Sequence, residues 1–290
     1  MKNTIYKTKF RNHSFTVVIA LIFSYVNVQS QNASCCMMSS TQQFAMLGND
    51  QSFVASHLSP IPFHYNPVNG KMITFNTPDG KTGNAYEVKS SKPGDKYIIL
   101  IHEWWGLNDY IKKEAERFYD ELGDVTILAI DLYDGKVADV PEKAQEYVKS
   151  VTDERANSII KGVISYAGSK AKIQTIGWCF GGGWSLQAAL QAGKQLSGCV
   201  MYYGMPEKKV ERLKTLNAPV FGIFGNKDKY ITPEIVDQFD KDMKAAGKQL
   251  TLKKYDADHG FANPSNPHYE KVMAEDAHSN ALAFFKKNFK

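Results

Sequence analysis

Apolar runs recur along the chain, each followed by a stretch with helical spacing. Tyr97–Ile101, Val125–Ile130, Ile173–Gly177, Gly198–Tyr203, Val220–Gly225 and Leu250–Tyr255 are mostly continuous rather than alternating. Runs of this kind fit strands buried on both faces by crossover helices. The intervening segments 109–122, 142–168, 180–193, 207–216, 233–246 and 268–288 read as helices. Thr232-Pro233 gives one of them an N-cap with proline at its first position. Two shorter runs, Met72–Phe75 and Asn84–Val88, flank Pro78-Asp79-Gly80 and predict a hairpin. The pattern predicts a three-layer α/β fold: a mostly parallel sheet with an antiparallel start and helices on both faces.

The N-terminal part does not follow that alternation. Residues 1–30 have the anatomy of a signal peptide. A basic stretch ends at Arg11, an apolar run spans Phe15–Val26, and Val28 and Ser30 suit the −3 and −1 positions of a cleavage site. The run is short for a membrane span, which needs about 20 residues. This points to an exported protein, periplasmic or extracellular. Cys35 follows closely and offers a position for a lipid anchor, although Asn32 stands where that signal wants leucine. Contact with a membrane is expected only through such lipidation. Residues 31–70 read as a partly helical N-terminal extension, with loose apolar spacing at Phe44, Leu47, Phe53, Val54 and Leu58 before Ser59-Pro60-Ile61-Pro62. Residues 71–290 form the main domain.

Composition changes the picture little. With 290 residues, 43% hydrophobic and 12% aromatic, the chain is ordinary for a globular protein. The net charge of +5 owes four charges to Lys2, Lys7, Lys9 and Arg11, so the remainder is near +1. Elsewhere basic residues interleave with acids, as in Lys112-Lys113-Glu114-Ala115-Glu116-Arg117. That is a solvated helix face, and no nucleic-acid partner is expected. The four cysteines form no obvious disulfide framework. In an exported chain this suggests a cysteine kept for chemistry or buried and inert.

The sharpest motif is Gly177-Trp178-Cys179-Phe180-Gly181-Gly182-Gly183, between a predicted strand and a predicted helix. It is a nucleophile elbow with cysteine in place of serine. The tight turn requires glycines around the nucleophile, and the helix N-terminus points free N–H groups at it, which favours a thiolate and a developing oxyanion. The loop lacks the Lys and Ser/Thr of a phosphate-binding loop and the spacing of a dinucleotide fingerprint. The plain alternative is a buried, inert cysteine.

A cysteine nucleophile needs a base and an acid to orient it. His259 follows the last predicted strand and Asp228 the one before it. The order nucleophile, Asp, His is that of α/β-hydrolases, and all three fall beyond the C-terminal ends of parallel strands. Asp256 and Asp258 are rival acids, but they lie too close in sequence to His259 to orient it easily. His13, His57, His64, His268 and His278 read as surface or packing residues. Cys179 with His259 makes only a two-ligand set without Cys-x-x-Cys spacing, so neither a metal nor another cofactor is expected.

His102-Glu103-Trp104-Trp105-Gly106, Asp131-Leu132-Tyr133, Gly177-Trp178-Cys179-Phe180-Gly181-Gly182, Asp228 and His259-Gly260-Phe261-Ala262 together resemble the dienelactone hydrolase family of α/β-hydrolases, over roughly residues 70–290. The resemblance implies an α/β-hydrolase fold and hydrolysis of a small carboxylic ester or lactone through an acyl-enzyme. It implies Cys179 as nucleophile, His259 as base, Asp228 as its orienter, and Glu103 as a carboxylate contacting the resting thiol. Backbone N–H groups of Trp104 and Phe180 would form the oxyanion hole. The bland reading of Glu103 is a surface salt bridge, and His102 reads as a buried hydrogen-bonding residue. Trp105, Tyr133, Lys136 and Phe261 are candidates for the substrate pocket; aromatics at strand ends also pack cores. The family's substrate-clamping arginines are missing: Asn263 and Asp134-Gly135-Lys136 occupy those places, and Arg117, Arg155 and Arg212 lie in predicted helices. A neutral ester or lactone, or recognition by Lys136 as a point charge, is therefore expected. The alternative is a non-catalytic relative that binds a small molecule or a protein partner. The sequence leaves the oligomeric state open.

Overall fold

In the computed structural model of the chain, the described residues are 1–2, 8–9 and 38–289. The signal-peptide reading of 1–30 and the lipid-anchor position Cys35 lie outside them, apart from those four terminal residues. Eight strands form one sheet: β1 Gly70–Asn76, β2 Thr82–Val88, β3 Lys96–Ile101, β4 Thr126–Asp131, β5 Lys172–Trp178, β6 Leu196–Tyr202, β7 Val220–Gly225 and β8 Leu250–Tyr255. Their order is β1-β2-β4-β3-β5-β6-β7-β8. The β1–β2 hairpin is antiparallel, β2 pairs antiparallel with β4, and every later pairing is parallel. The fold class is as expected. The central strands are apolar throughout because both their faces are covered: Ile98–Ile101 and Ile127–Ile130 are fully buried.

The helices are α1 Ser40–Leu47, α2 Gln51–Ser56, α3 Asp109–Leu122, α4 Pro141–Ser150, α5 Asp153–Ala167, α6 Phe180–Ala192, α7 Val210–Leu213, α8 Pro233–Ala245 and α9 Lys271–Asn288. Two differ from expectation. The segment 142–168 is two helices, because Thr152 takes an extended backbone and its side chain accepts the Arg155 N–H, starting α5 afresh. The segment 207–216 is helical only over α7. There the buried Glu207 carboxylate accepts the backbone N–H groups of Lys208 and Lys209, holding that stretch in a turn. No helix among the described residues is long and apolar enough to cross a membrane.

The N-terminal segment is docked, not loose. Ser39 caps α1 in a reciprocal capping box with Gln42, and Asp50 caps α2 through Ser52 and Phe53. Ser39 and Thr41 donate to the Asp153 carboxylate at 2.7 Å each, tying α1 to α5. Phe44 and Phe53 are buried and meet edge to face. Farther along, Ile61 N–H donates to the Ser265 carbonyl, while the N–H groups of Val68, Asn69 and Gly70 converge on the buried Glu116 carboxylate. These ties draw residues 38–70 over the C-terminal edge of the sheet, where the site lies.

Candidate active site

Cys179 is the N-cap of α6, at the junction with β5, with φ 55° and ψ −117°. A positive φ in a residue with a side chain costs on the order of 1–3 kcal/mol and persists only where the surroundings enforce it. Here they do. The Cys179 N–H donates to Tyr202 O, and the Gly182 N–H to Cys179 O, both at 3.0 Å. A methyl group at Gly181 would collide with the Ile101 and His102 carbonyls, and one at Gly177 with the Gly181 carbonyl. The glycines thus let α6 press directly on the strand ends and aim the thiol out of the sheet.

His259 follows β8, and its Nε2 stands 3.2 Å from Cys179 Sγ. Its Nδ1 lies 2.7 Å from Asp228 Oδ2. Asp228 follows β7, and its other oxygen accepts the Tyr230 and Ile231 N–H groups at 2.8 and 2.9 Å. Burial works against the Asp228 carboxylate, but His259 and those N–H groups outweigh it and hold its pKa below the ordinary value. Burial also works against the His259 imidazolium. Asp228 and Cys179 more than offset it, so its pKa lies well above the ordinary histidine value. The Cys179 thiol is pushed up, chiefly by burial, with His259 opposing and Glu103 adding to the rise. The rival acids are elsewhere: Asp256 is exposed and pairs with Lys227 at 3.0 Å, and Asp258 is exposed.

Glu103 lies just beyond β3 and is buried rather than a surface ion pair. Its carboxyl accepts from Tyr203 Oη at 3.1 Å and from the Asn263 amide. Burial pushes its pKa up to about 7, against those two donors and His259. No hydrogen bond joins Glu103 to Cys179 among the described residues. The expected carboxyl–thiol contact is replaced by the Tyr203 and Asn263 clamp, while the thiol faces His259. His102 is fully buried, with Nε2 accepting the Leu132 N–H at 3.1 Å and Nδ1 on the Glu103 carbonyl. It braces the turn that carries Glu103 and Trp104. The backbone N–H groups of Trp104 and Phe180 have no backbone or side-chain oxygen partner among the described residues.

The pocket candidates divide. Trp105 borders the small space above Cys179, together with His57, Leu58, Glu103, Gly260, Asn263 and Asn266. Tyr133 does not; it is buried, donates to the Trp104 carbonyl at 3.0 Å and packs on His102 and Phe180. Phe261 is core, packed on Tyr203 and Tyr255. Lys136 points to solvent over the Tyr147 ring. The space above the thiol measures about 10 Å³, roughly enough for one water. A larger cavity of about 190 Å³ lies on the far side of Glu103 and Asn263, between α3 and α9. Arg117 borders it but is paired with Glu121 and Glu275. Arg155 is occupied by Asp79 and Asp134, and Arg212 by Glu207.

The residue that sequence reasoning missed is His57. It stands at the end of α2 with its ring centroid 4.4 Å from that of Trp104 and 5.5 Å from that of His259. Its Nδ1 is 2.7 Å from the Phe53 carbonyl. Burial, then the neighbouring His259, push its pKa down to about 3. It is therefore a neutral imidazole in the site, not a surface histidine. No local pattern announces this, because the contact depends on how the extension docks.

An open, mostly parallel sheet that gathers a strained cysteine, a histidine and an aspartate at its C-terminal edge is the arrangement of an α/β-hydrolase. The dienelactone hydrolase family model matches residues 84–289, and the chain belongs to that family of hydrolases. It is 28% identical over 231 residues to Protein usf of Aquifex pyrophilus, covering 75% of this chain and 98% of that one. It is also 28% identical to a Saccharolobus solfataricus protein carrying the provisional name carboxymethylenebutenolidase, covering 66% and 88%. A solved structure from Klebsiella pneumoniae, provisionally named a dienelactone hydrolase, superposes with a TM-score of 0.64 at 24% identity, over 74% of this chain and 99% of that one. An esterase from Pyrococcus furiosus matches with a TM-score of 0.59 at 17% identity, over 80% and 100%.

Proposed function

We propose that this protein hydrolyses a small carboxylic ester or lactone through an acyl-enzyme, with Cys179 as nucleophile, His259 as general base and Asp228 as its orienter. The observation that carries the reading is the continuous line from Asp228 Oδ2 through the His259 ring to Cys179 Sγ, at 2.7 and 3.2 Å. Cys179 and His259 share one proton, and attack proceeds from the form that has it on His259. Sγ adds to the carbonyl carbon, and the oxyanion is received by the Trp104 and Phe180 N–H groups. Collapse breaks the C–O bond, and the leaving oxygen takes the proton from His259 Nε2. Water, deprotonated by His259, then opens the thioester and releases the acid. General-base assistance of this kind is worth about 10²–10⁴-fold, and one oxyanion donor about 10²–10³-fold.

Glu103 tunes the thiol from its place between Tyr203 and Asn263. Its ionised form disfavours a thiolate, and protonation removes that repulsion. Asn263 sits where related enzymes carry an arginine, and Arg117, Arg155 and Arg212 are all paired with acids. Neutral esters or lactones are therefore the favoured substrates over those bearing a carboxylate. The leader-like residues 1–30 support export, with Cys35 a candidate lipid anchor; fractionation of cells that express the chain would test both.

The test is a panel of neutral and anionic esters and lactones under reducing conditions, with the intact protein beside Cys179→Ala. Turnover by the intact protein alone, greatest on neutral members, is expected. Equal turnover by both forms would remove Cys179 from the mechanism. Failure of the intact protein on every member would favour a binding role.

A further inference from the structure

We propose that His57, Cys179 and His259 form a binding site for a thiophilic divalent cation, zinc above all, which reversibly blocks the nucleophile. One nitrogen from each imidazole and the Cys179 sulfur lie within 4.8 Å of one another, and all three residues are buried. Zinc holds nitrogen at about 2.0–2.1 Å and sulfur at about 2.3 Å, which places tetrahedral donors about 3.3–3.8 Å apart. His259 Nε2 and Cys179 Sγ already stand 3.2 Å apart. The third donor needs to close by about 1 Å, within reach of a side-chain rotation.

Both imidazoles are oriented as metal ligands are. A ligating histidine gives its other nitrogen to a carboxylate or carbonyl, which fixes tautomer and ring. His259 gives Nδ1 to Asp228, and His57 gives Nδ1 to the Phe53 carbonyl. Each ring is left with Nε2 as its free donor. The thiolate and imidazole set selects zinc-like cations over magnesium or calcium. The small space bordered by Glu103 and Asn263 holds room for one water as the fourth ligand. Metal binding displaces the proton shared by Cys179 and His259 into solvent and forms the sulfur–zinc bond. The metal-bound sulfur is a weaker nucleophile and His259 Nε2, now a ligand, can no longer take or give a proton, so attack on a carbonyl is blocked until the metal leaves.

His57 belongs to the N-terminal extension, so this site exists only when that segment is docked. It uses the cysteine and histidine of the proposed hydrolase mechanism, but it is read by metal binding without substrate, so the two readings can fail separately.

The experiment is a zinc titration of the reduced full chain against a chromophoric chelator, with cadmium as a second probe through its thiolate charge-transfer band. One tightly bound zinc per chain and a cadmium–thiolate band are expected. His57→Ala should weaken zinc by at least about 100-fold, the upper range for loss of a partner outside the ligand shell. His64→Ala, which alters an exposed side chain, should leave it unchanged. His57→Cys restores a ligand and should recover binding, which a purely structural role for His57 would not allow. Absence of zinc binding by the intact chain would overturn the proposal, as would equal affinity in His57→Ala or failure of His57→Cys to recover binding.

Discussion

The ring of His57, carried by the N-terminal extension, lies with its centroid 5.5 Å from that of His259, carried by the loop after β8. The extension therefore contributes a side chain to the site rather than only covering the domain. Phe53, just before it, meets the His259 ring at 5.9 Å and the Tyr230 ring at 4.9 Å. His57 and Leu58 border a space above the thiol with room for about one water. Under the proposed mechanism, a substrate larger than a water needs this segment to yield before it reaches Cys179.

Phe53→Ala tests that dependence. Phe53 is fully buried against Phe44, Trp104 and Tyr230. Truncating a buried phenylalanine costs about 3–5 kcal/mol. Because the contacts tie one segment to a large core, the loss should appear as undocking of the extension rather than global unfolding. Alkylation of Cys179 by a small thiol reagent should accelerate, with little change in the main thermal transition. An unchanged alkylation rate would mean that the extension does not gate the thiol.

Asp228→Asn tests the proposed orientation of His259 as the base. The carboxylate holds the His259 tautomer whose Nε2 faces sulfur, and an amide can hold the wrong one. Loss of about 10²–10⁴ in kcat/KM is expected, mostly in kcat, as for buried orienting acids elsewhere. A loss confined to KM would point instead to a role in binding.

Glu103 gives a pH signature in stability. Its pKa rises from 4.5 to about 7, chiefly through burial. The raised folded value means that the protonated form is favoured in the fold. Its contribution is full below the unfolded value, shrinks as pH rises, and is gone once pH passes about 7. The difference is about 3 kcal/mol. Glu103→Gln keeps a neutral amide in place of the acid, so its melting temperature should fall less than that of the unaltered protein between about pH 5 and 8. Parallel pH profiles would show that Glu103 ionises freely in the fold.

Much of this is legible in the sequence. The strands showed because burial on both faces leaves continuous apolar runs, and the line Cys179, Asp228, His259 showed because each residue directly follows such a run. The sequence reads as one helix over α4 and α5 because its apolar spacing continues across Thr152, where the cap that separates them sits. Tyr133 and Phe261 looked like pocket residues because strand-end aromatics can face either a ligand or the core. Here Tyr133 donates to the Trp104 carbonyl and Phe261 packs on Tyr203. His57 was illegible because its place depends on two short capped helices folding back across the sheet edge, and no periodicity encodes where they dock.

The most direct test of the central claim is to quench the reduced protein during turnover of a neutral ester and map the acyl group by mass spectrometry of its peptides. The expected result is a thioester on the peptide that contains Cys179, present only while substrate remains, with Cys179→Ala showing neither adduct nor turnover. Undiminished turnover in Cys179→Ala, or an acyl group carried on another residue, would contradict it.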